Sequence, residues 1–303
     1  MKRILLSILM LLTIPAWGAA VCEQDATGQS VCLDKPARRI VSLAPNITEL
    51  LFAAGAGTHI AGVDSYSTYP AAANEITTIG GFPNISVEAL LALQPDLVVV
   101  WAGVTSPQLS EKIESLGIRV FHLGQATIPD VATSIRTLGR LAGTATVANR
   151  NADAFLARYE TLHDRYADRT PVSVFFEIWH APLRTVGGRH LTSQAIALCG
   201  GKNVFADQKV NVPAVGIESL LARNPDAIVS TDRVGNDQDI YQRWQKLTVL
   251  EAVREQQLIT LPDKLISLPT PRMLDGAEML CEQLQAIRDN HQPPKQLIAG
   301  HTE

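Results

Sequence analysis

Residues 85–100 read ISVEALLALQPDLVVV, and residues 215–230 read VGIESLLARNPDAIVS. The two stretches align without a gap. Glu88 falls on Glu218, Leu90 on Leu220, Leu91 on Leu221 and Ala92 on Ala222. Pro95 and Asp96 fall on Pro225 and Asp226, and Val99 on Val229. Each copy opens with apolar residues at helical spacing, passes a Pro-Asp turn and ends in a continuous apolar run. Such a run fits a strand buried on both faces, as in a parallel sheet. A unit that recurs at equivalent points of two halves predicts two related lobes with pseudo-twofold symmetry.

The same alternation extends outward from both copies. In the first half, RRIVSLA (38–44), HIAGVD (59–64), LVVVW (97–101) and RVFHLG (119–124) read as strands. Between them, NITELLFAAGAG (46–57), VEALLAL (87–93) and SPQLSEKIESLG (106–117) have helical spacing. In the second half the strands are SVFFEIW (173–179), AIVSTD (227–232) and LITLPD (258–263). Their helices include 238–255 (QDIYQRWQKLTVLEAVRE) and 271–287 (PRMLDGAEMLCEQLQAI). Strand and helix in alternation predict mainly parallel sheets with helices on their faces. Between the halves, Ala148, Ala152, Phe155, Tyr159, Leu162 and Tyr166 follow one another in steps of four and three, one helical face. This predicts a single helix over 144–169, stopped before Pro171. The expected fold is therefore α/β, with two Rossmann-like lobes (37–143 and 171–289) joined by one long rigid helix. A cleft between the lobes is the expected place for a ligand, and 290–303 are expected to form a loose tail.

The chain opens as an exported one. Lys2 and Arg3 precede an apolar run from Ile4 to Ile14, then Pro15 and the small residues Gly18, Ala19 and Ala20. That is the pattern of a signal peptide, residues 1–20, cleaved near Gly18 to Ala20 and directing the chain to the periplasm. The run is too short for a permanent membrane helix. Val21 before Cys22 is not the small residue that a lipoprotein signal carries there, which favours a soluble mature chain. The formal charge of −4, with basic residues scattered, argues against nucleic acid.

Four cysteines in an exported chain favour disulfides, and four allow three pairings. Cys22 and Cys32 bracket a polar, glycine-containing stretch, so a local loop between them is natural. That leaves Cys199 with Cys281. No C-x-x-C occurs, so neither a redox motif nor a paired-cysteine zinc site is indicated.

No catalytic motif stands out: there is no G-x-S-x-G, no H-E-x-x-H and no phosphate loop. The seven histidines are dispersed, His180 and His190 lying ten positions apart, so no bound metal and no resident cofactor are expected. The aromatic residues are more informative. Tyr66 and Tyr69 lie in SYSTYP (65–70), just after a strand, and Phe82 lies in GGFPN (80–84). Trp101 and Trp179 end the strand runs LVVVW and SVFFEIW. Ligands of open α/β sheets bind outside the carboxyl ends of strands. Tyr66, Trp101 and Trp179 are thus expected to border one cleft, drawn from both halves, with rings suited to a bulky, partly polar ligand. Glu88 and Glu218 sit at the starts of their helices, where the dipole favours a carboxylate by about 0.3–1 kcal/mol.

Several segments together resemble the periplasmic cobalamin-binding proteins of bacterial ABC importers, within the helical-backbone (class III) solute-binding family. They are RIVSLAPNITELLFAAGAG (39–57), GVDSYSTYP (62–70), the two repeat segments, ALCGGKNVFAD (197–207) and TPRMLDGAEMLCEQL (270–284). The first and third occur across a wider family that also binds siderophores and haem. The combination, with Cys199 and Cys281, is more specific to the cobalamin branch. The resemblance spans about 38–287 and implies two α/β lobes bridged by one rigid helix, with a corrinoid held in the cleft as transported ligand. It places Tyr66 and Trp101 at ligand-contact positions and puts Phe82 where a tryptophan contact stands. It matches Glu88 and Glu218 to the glutamates that dock onto arginines of the membrane permease, and Cys199 with Cys281 to a family disulfide.

Two departures stand out. Val212 occupies a place where an aromatic is expected, and ISLP (266–269) replaces a more polar segment. Trp179 and His180, in EIWHAPLRTVGGRHL (177–191), are candidates for compensating contacts, and Arg272 completes the candidate ligand set. The function expected is capture of cobalamin or a related corrinoid by a monomer, without catalysis, for delivery to an ABC permease. An iron-siderophore or haem binder is the nearest alternative, for which Arg184, Arg189 and Arg272 are the candidate cations. A secreted hydrolase using Asp64 or His180 is a further one, disfavoured by the lack of any paired acid and base.

Overall fold

The computed structural model describes residues 20–233 and 240–291. The expected export signal, apart from Ala20, and residues 292–303 of the expected tail lie outside them. The described chain opens with an antiparallel hairpin, β1 (Val21–Gln24) and β2 (Ser30–Leu33), in which Cys22 and Cys32 face each other and are bonded. The first lobe continues with β3 (Ile40–Ser42), α1 (Pro45–Ala53), β4 (Ile60–Val63), the small hairpin β5 (Gly80–Gly81) and β6 (Asn84–Ile85), and α2 (Val87–Ala92). It ends with β7 (Leu97–Trp101), α3 (Pro107–Ser115), β8 (Val120–Leu123) and α4 (Asp130–Leu141). Helix α5 (Ala145–Tyr166) follows. The second lobe holds β9 (Val172–Glu177), α6 (Leu191–Leu198), β10 (Gly201–Asn203), α7 (Ile217–Arg223) and β11 (Ala227–Thr231). It closes with α8 (Ile240–Trp244), α9 (Glu251–Arg254), β12 (Leu258–Leu261), α10 (Asp263–Ile266) and α11 (Met273–His291).

The two main sheets have the same plan. Their orders are β4-β3-β7-β8 and β10-β9-β11-β12, every neighbouring pair parallel. In each lobe the first strand therefore pairs with the second and third, and the sequence repeat supplies the third. The repeat does the same work twice. Gln94 and Asn224, each just before a proline, have φ of 46° and 37°. A residue before proline avoids the helical region, and the left-handed conformation ends the helix. The aspartate after each proline then clamps the first strand of its lobe. Asp96 accepts from the backbone N–H groups of Arg38 and Arg39 at 2.8 and 3.1 Å. Asp226 accepts from the N–H and the hydroxyl of Ser173, both at 2.7 Å. Leu90 and Leu220 are fully buried.

Helix α5 has 22 residues, about 33 Å at the usual rise. Ala148, Ala152, Phe155, Leu162 and Tyr166 are its buried face. Asn151 donates to the Ala53 carbonyl of the first lobe at 2.8 Å, and Arg158 pairs with Asp275 and Glu278 on α11. One apolar cluster runs from Ile40 and Leu50 through Ala152 and Phe155 to Val174 and Leu284, so both lobes and the bridge share a core. Cys199, at the end of α6, is bonded to Cys281 of α11. Among the described residues no helix is long and apolar enough to cross a membrane.

One helical reading needs correction. The run 238–255, of which 238–239 lie outside the described residues, forms two short helices, α8 and α9, rather than one. Trp244 and Leu250, 1% and 0% exposed, both enter one apolar cluster. Six residues apart, they would point to different sides of a continuous helix. The turn between them brings both inward. Helix α4 and edge strand β10 were not singled out by the sequence pattern.

The cleft between the lobes as candidate ligand site

A cleft of about 1020 Å³ opens between the lobes. The first lobe supplies Trp101, Gly103, Val104 and Gln125; the second supplies Arg189, His190, Gln194, Lys209, Asn211, Ser267 and Pro269. Trp101 is the last residue of β7, and Gln125 follows β8, so the first lobe opens the cleft at the carboxyl ends of its strands. Trp101 is half-buried and packs against the shared core.

Among the described residues, three direct side-chain links cross between the lobes. Gln194 donates to the Ala126 carbonyl at 2.8 Å and accepts from the Ile128 N–H at 3.3 Å. Lys264 donates to the Thr68 hydroxyl at 3.0 Å. Arg272 donates to Glu49 at 2.9 Å, and its guanidinium lies 3.7 Å from the centre of the Tyr69 ring. The sequence reading makes Arg272 a ligand contact; the structure gives it a different place. Its charge is committed to a nearly buried carboxylate of the opposite lobe, and it does not line the cleft.

The other expected contacts lie outside the cavity lining. Tyr66, Phe82 and Trp179 are 59%, 57% and 48% exposed, on loops that follow strands, and none lines the cavity itself. The Tyr66 ring lies over Gly81, where a Cβ would come within 2.8 Å of it, so Tyr66 and the hairpin bearing Phe82 adjoin. Trp179 Nε1 donates to the Ala181 carbonyl at 2.9 Å, and Trp179 pairs with Arg184 across a tight loop. His180 follows in that loop. Its Nδ1 is 2.7 Å from the Glu177 carboxylate, to which it donates. Glu177 is wholly buried and also accepts from Arg243 at 2.8 Å and Trp244 Nε1 at 3.2 Å, so the base of the Trp179 loop is fixed.

Sequence reasoning missed His190, Gln194, Lys209, Asn211 and Gln125. One signal was present: the pair Gly187–Gly188. A Cβ at Gly187 would lie 2.1 Å from the Val210 carbonyl oxygen, and one at Gly188 2.2 Å from that of Ala206. Only glycine permits that backbone approach, which places 189–194 beside 206–211. The segment ISLP reaches the cleft through Ser267 and Pro269, while Ile266 is core. Val212 is half-buried, and its carbonyl accepts from Arg184 at 3.4 Å.

Glu88 and Glu218 occupy the first turns of α2 and α7, exposed, with no ion pair among the described residues. Ser86 caps α2 by accepting from the Ala89 N–H at 3.1 Å. Asp64, considered above as a catalytic acid, is a buried turn-former. It accepts from the Tyr66 N–H at 3.1 Å and from the Ser67 hydroxyl, and burial pushes its carboxyl up. It thereby sets the loop that carries Tyr66. Ser110, His122 and Asp25 do form a relay: Ser110 Oγ is 3.2 Å from His122 Nε2, and His122 Nδ1 is 2.9 Å from Asp25. Ser110 is 4% exposed within α3, so its hydroxyl faces no substrate. The relay ties the Cys22–Cys32 hairpin to β8. Glu160, His163 and Asp164 have metal-ligand spacing but are exposed on α5 and do not line the cleft.

Residues 40–265 match a family described as periplasmic binding protein. The chain belongs to that family. Among relatives of this periplasmic binding protein, the vitamin B12-binding protein of Vibrio cholerae serotype O1 is 33% identical over 250 residues, 82% of this chain and 90% of that one. The vitamin B12-binding protein of Yersinia pestis is 32% identical over 251 residues, 83% and 88% of the two chains. Among crystal structures, that of the periplasmic vitamin B12 binding protein BtuF of Vibrio cholerae aligns with a TM-score of 0.76 at 32% identity, covering 84% of this chain and 98% of that chain. The periplasmic heme-binding protein RhuT from Roseiflexus sp. RS-1 aligns with a TM-score of 0.74 at 26% identity, covering 83% and 99%.

Proposed function

We propose that this periplasmic binding protein captures cobalamin or a related corrinoid between its lobes and delivers it to an ABC importer. The observation that carries the reading is the cleft itself, with Trp101 in its wall. At about 1020 Å³ it stands at the upper end of ligand pockets, which run to about 1,000 Å³, so the ligand is large. The exposed rings of Tyr66, Phe82 and Trp179, on loops after strands of both lobes, suit a broad macrocycle face, with His180 next to Trp179. Relatives covering nine-tenths of their length and named for vitamin B12 support the choice of ligand. The corrinoid is cargo and not a cofactor, and binding without turnover is the activity. The place of action is the periplasm, after removal of residues 1–20, and the protein acts as a monomer. Glu88 and Glu218 serve as the two contacts to the permease.

The test is direct. Purified mature protein is incubated with cyanocobalamin and passed over a sizing column. Co-eluting red colour, with quenched tryptophan fluorescence, is the expected result; its absence at micromolar concentrations sinks the reading. Haem is the second reading, favoured by the two cations, Arg189 and Lys209, in the cleft wall. Titration with haemin separates the two by its absorbance band.

A further inference from the structure

We propose that the second lobe's wall of the cleft is an anion-binding pole, in which Arg189, Lys209 and His190 hold a phosphate or carboxylate substituent of the macrocycle. The class of ligand rests on the reading above; the pole rests on four features of the cleft.

The first is position. Gly187 N–H donates to the Asn211 carbonyl at 2.9 Å, and Gly188 N–H to that of Gln208 at 3.2 Å. The two backbones therefore run side by side, as the glycines require. Arg189 and Lys209 emerge from adjoining segments into the same cavity.

The second is charge. Among the described residues, no Asp or Glu lines the cavity. Among the described residues, neither Arg189 nor Lys209 makes an ion pair or a side-chain hydrogen bond. By contrast, Arg272 is paired with Glu49, and Lys264 and Arg184 are held by hydrogen bonds to the Thr68 hydroxyl and the Val212 carbonyl. Two positive charges thus face the cleft with no acidic side chain in its described lining. Concave walls of one sign concentrate ions of the other.

The third is the state of His190. Its Nδ1 accepts from the Thr192 N–H at 3.1 Å, so the neutral ring carries its proton on Nε2. Burial pushes its pKa down, which keeps the ring neutral and a donor. The fourth is that His190 caps α6, whose amino end, with Leu191, borders the same cavity. The partial positive charge there adds to the pole.

The chemistry selects among macrocycles. The amide side chains of a corrinoid are neutral. A cobalamin carries one phosphodiester in its nucleotide loop, and a cobinamide lacks that loop. Haem carries two propionates. The pole favours the first and third over the second.

Cyanocobalamin and dicyanocobinamide are titrated into wild type and into the double variant Arg189→Gln, Lys209→Gln, each at low and high salt. Both side chains are exposed, and circular dichroism with a melting curve checks folding. Wild type is expected to bind cyanocobalamin at least 10-fold more tightly, as a charge-assisted contact is worth about 10- to 100-fold. That preference falls as salt rises. The double variant should lose it while binding cobinamide as before. Equal wild-type affinities, or equal loss of both ligands in the variant, would overturn the pole while leaving the corrinoid reading intact. If wild type binds neither corrinoid, the corrinoid reading fails and haemin decides. Weaker haemin binding by the variant upholds the pole with a carboxylate ligand. Unchanged or absent haemin binding refutes it.

Discussion

Trp101 is a cleft residue whose position the sequence and the structure describe in the same terms. It ends a buried strand, its ring is half-buried against the core, and it faces the cavity. A preorganised ring of this kind is the usual anchor of a binding surface. Trp101→Ala is expected to weaken corrinoid affinity by about 1–3 kcal/mol in a calorimetric titration. An unchanged affinity would assign the ring to the core alone. Asp25 offers a test of opposite character. Burial alone would raise its pKa. Hydrogen bonds from the Thr27 side chain and N–H, His122 and the Gln29 N–H outweigh that and hold it below the usual carboxylate range. A depressed pKa contributes stability that is present above the unfolded value, about 4, and is lost as pH falls through the folded one. Urea midpoints should therefore decline on acidification below about pH 4. Asp25→Asn should remove part of that decline. Identical acid limbs in the two proteins would show that the hairpin anchor is not linked to this carboxylate.

At the scale of elements, two features decide rigidity. The bond between Cys199 and Cys281 joins α6 to α11 across 82 positions. In the chain-entropy model a loop of that length is worth about 4–5 kcal/mol, less where the unfolded chain keeps structure. Replacing both cysteines by alanine should lower the unfolding free energy by up to that amount. Peptide mapping without reductant should recover 199 linked to 281. Helix α5 is the other feature. Its buried face belongs to the core that both lobes share, and Arg158 fixes its far half to α11. Hinge closure needs a few loop residues to absorb a large dihedral change, and an unbroken helix offers none. Scattering curves of free and corrinoid-loaded protein should superimpose within error. A clear fall in radius of gyration on loading would contradict a rigid bridge.

The whole molecule presents one carboxylate per lobe from the same turn of the same repeated unit. Glu88 and Glu218 are exposed, without ion pairs among the described residues, on helices that precede the equivalent third strands. Two such points match a permease of two subunits with one cation each. Losing a desolvated charge pair costs about 2–5 kcal/mol, while a rim pair is worth far less. Glu88→Ala with Glu218→Ala should leave the melting temperature and corrinoid affinity near wild type and abolish uptake into vesicles carrying the importer. Lysine at both positions should be worse, because like charges then meet. Normal uptake by the alanine pair would end the docking role. Loss of corrinoid binding would move these residues to the cleft.

Most strands and helices, the bridging helix and the equivalence of the lobes were legible in the sequence, because hydrophobic periodicity and a gapless repeat are local in the chain. Trp101 was legible too, since a strand's last residue fixes its own place at the sheet edge. The wall opposite it was not. Arg184, Arg189 and Arg272 look alike in sequence as cations near the cleft, and only the fold separates them. Arg184 bonds a neighbouring carbonyl, Arg272 meets Glu49 from 223 positions away, and Arg189 is left facing the cavity. Lys209 joins Arg189 because two glycines let distant backbones touch. A side chain's local pattern tells which element it belongs to. Its partner, and so its charge left over for a ligand, depends on what the tertiary structure brings beside it.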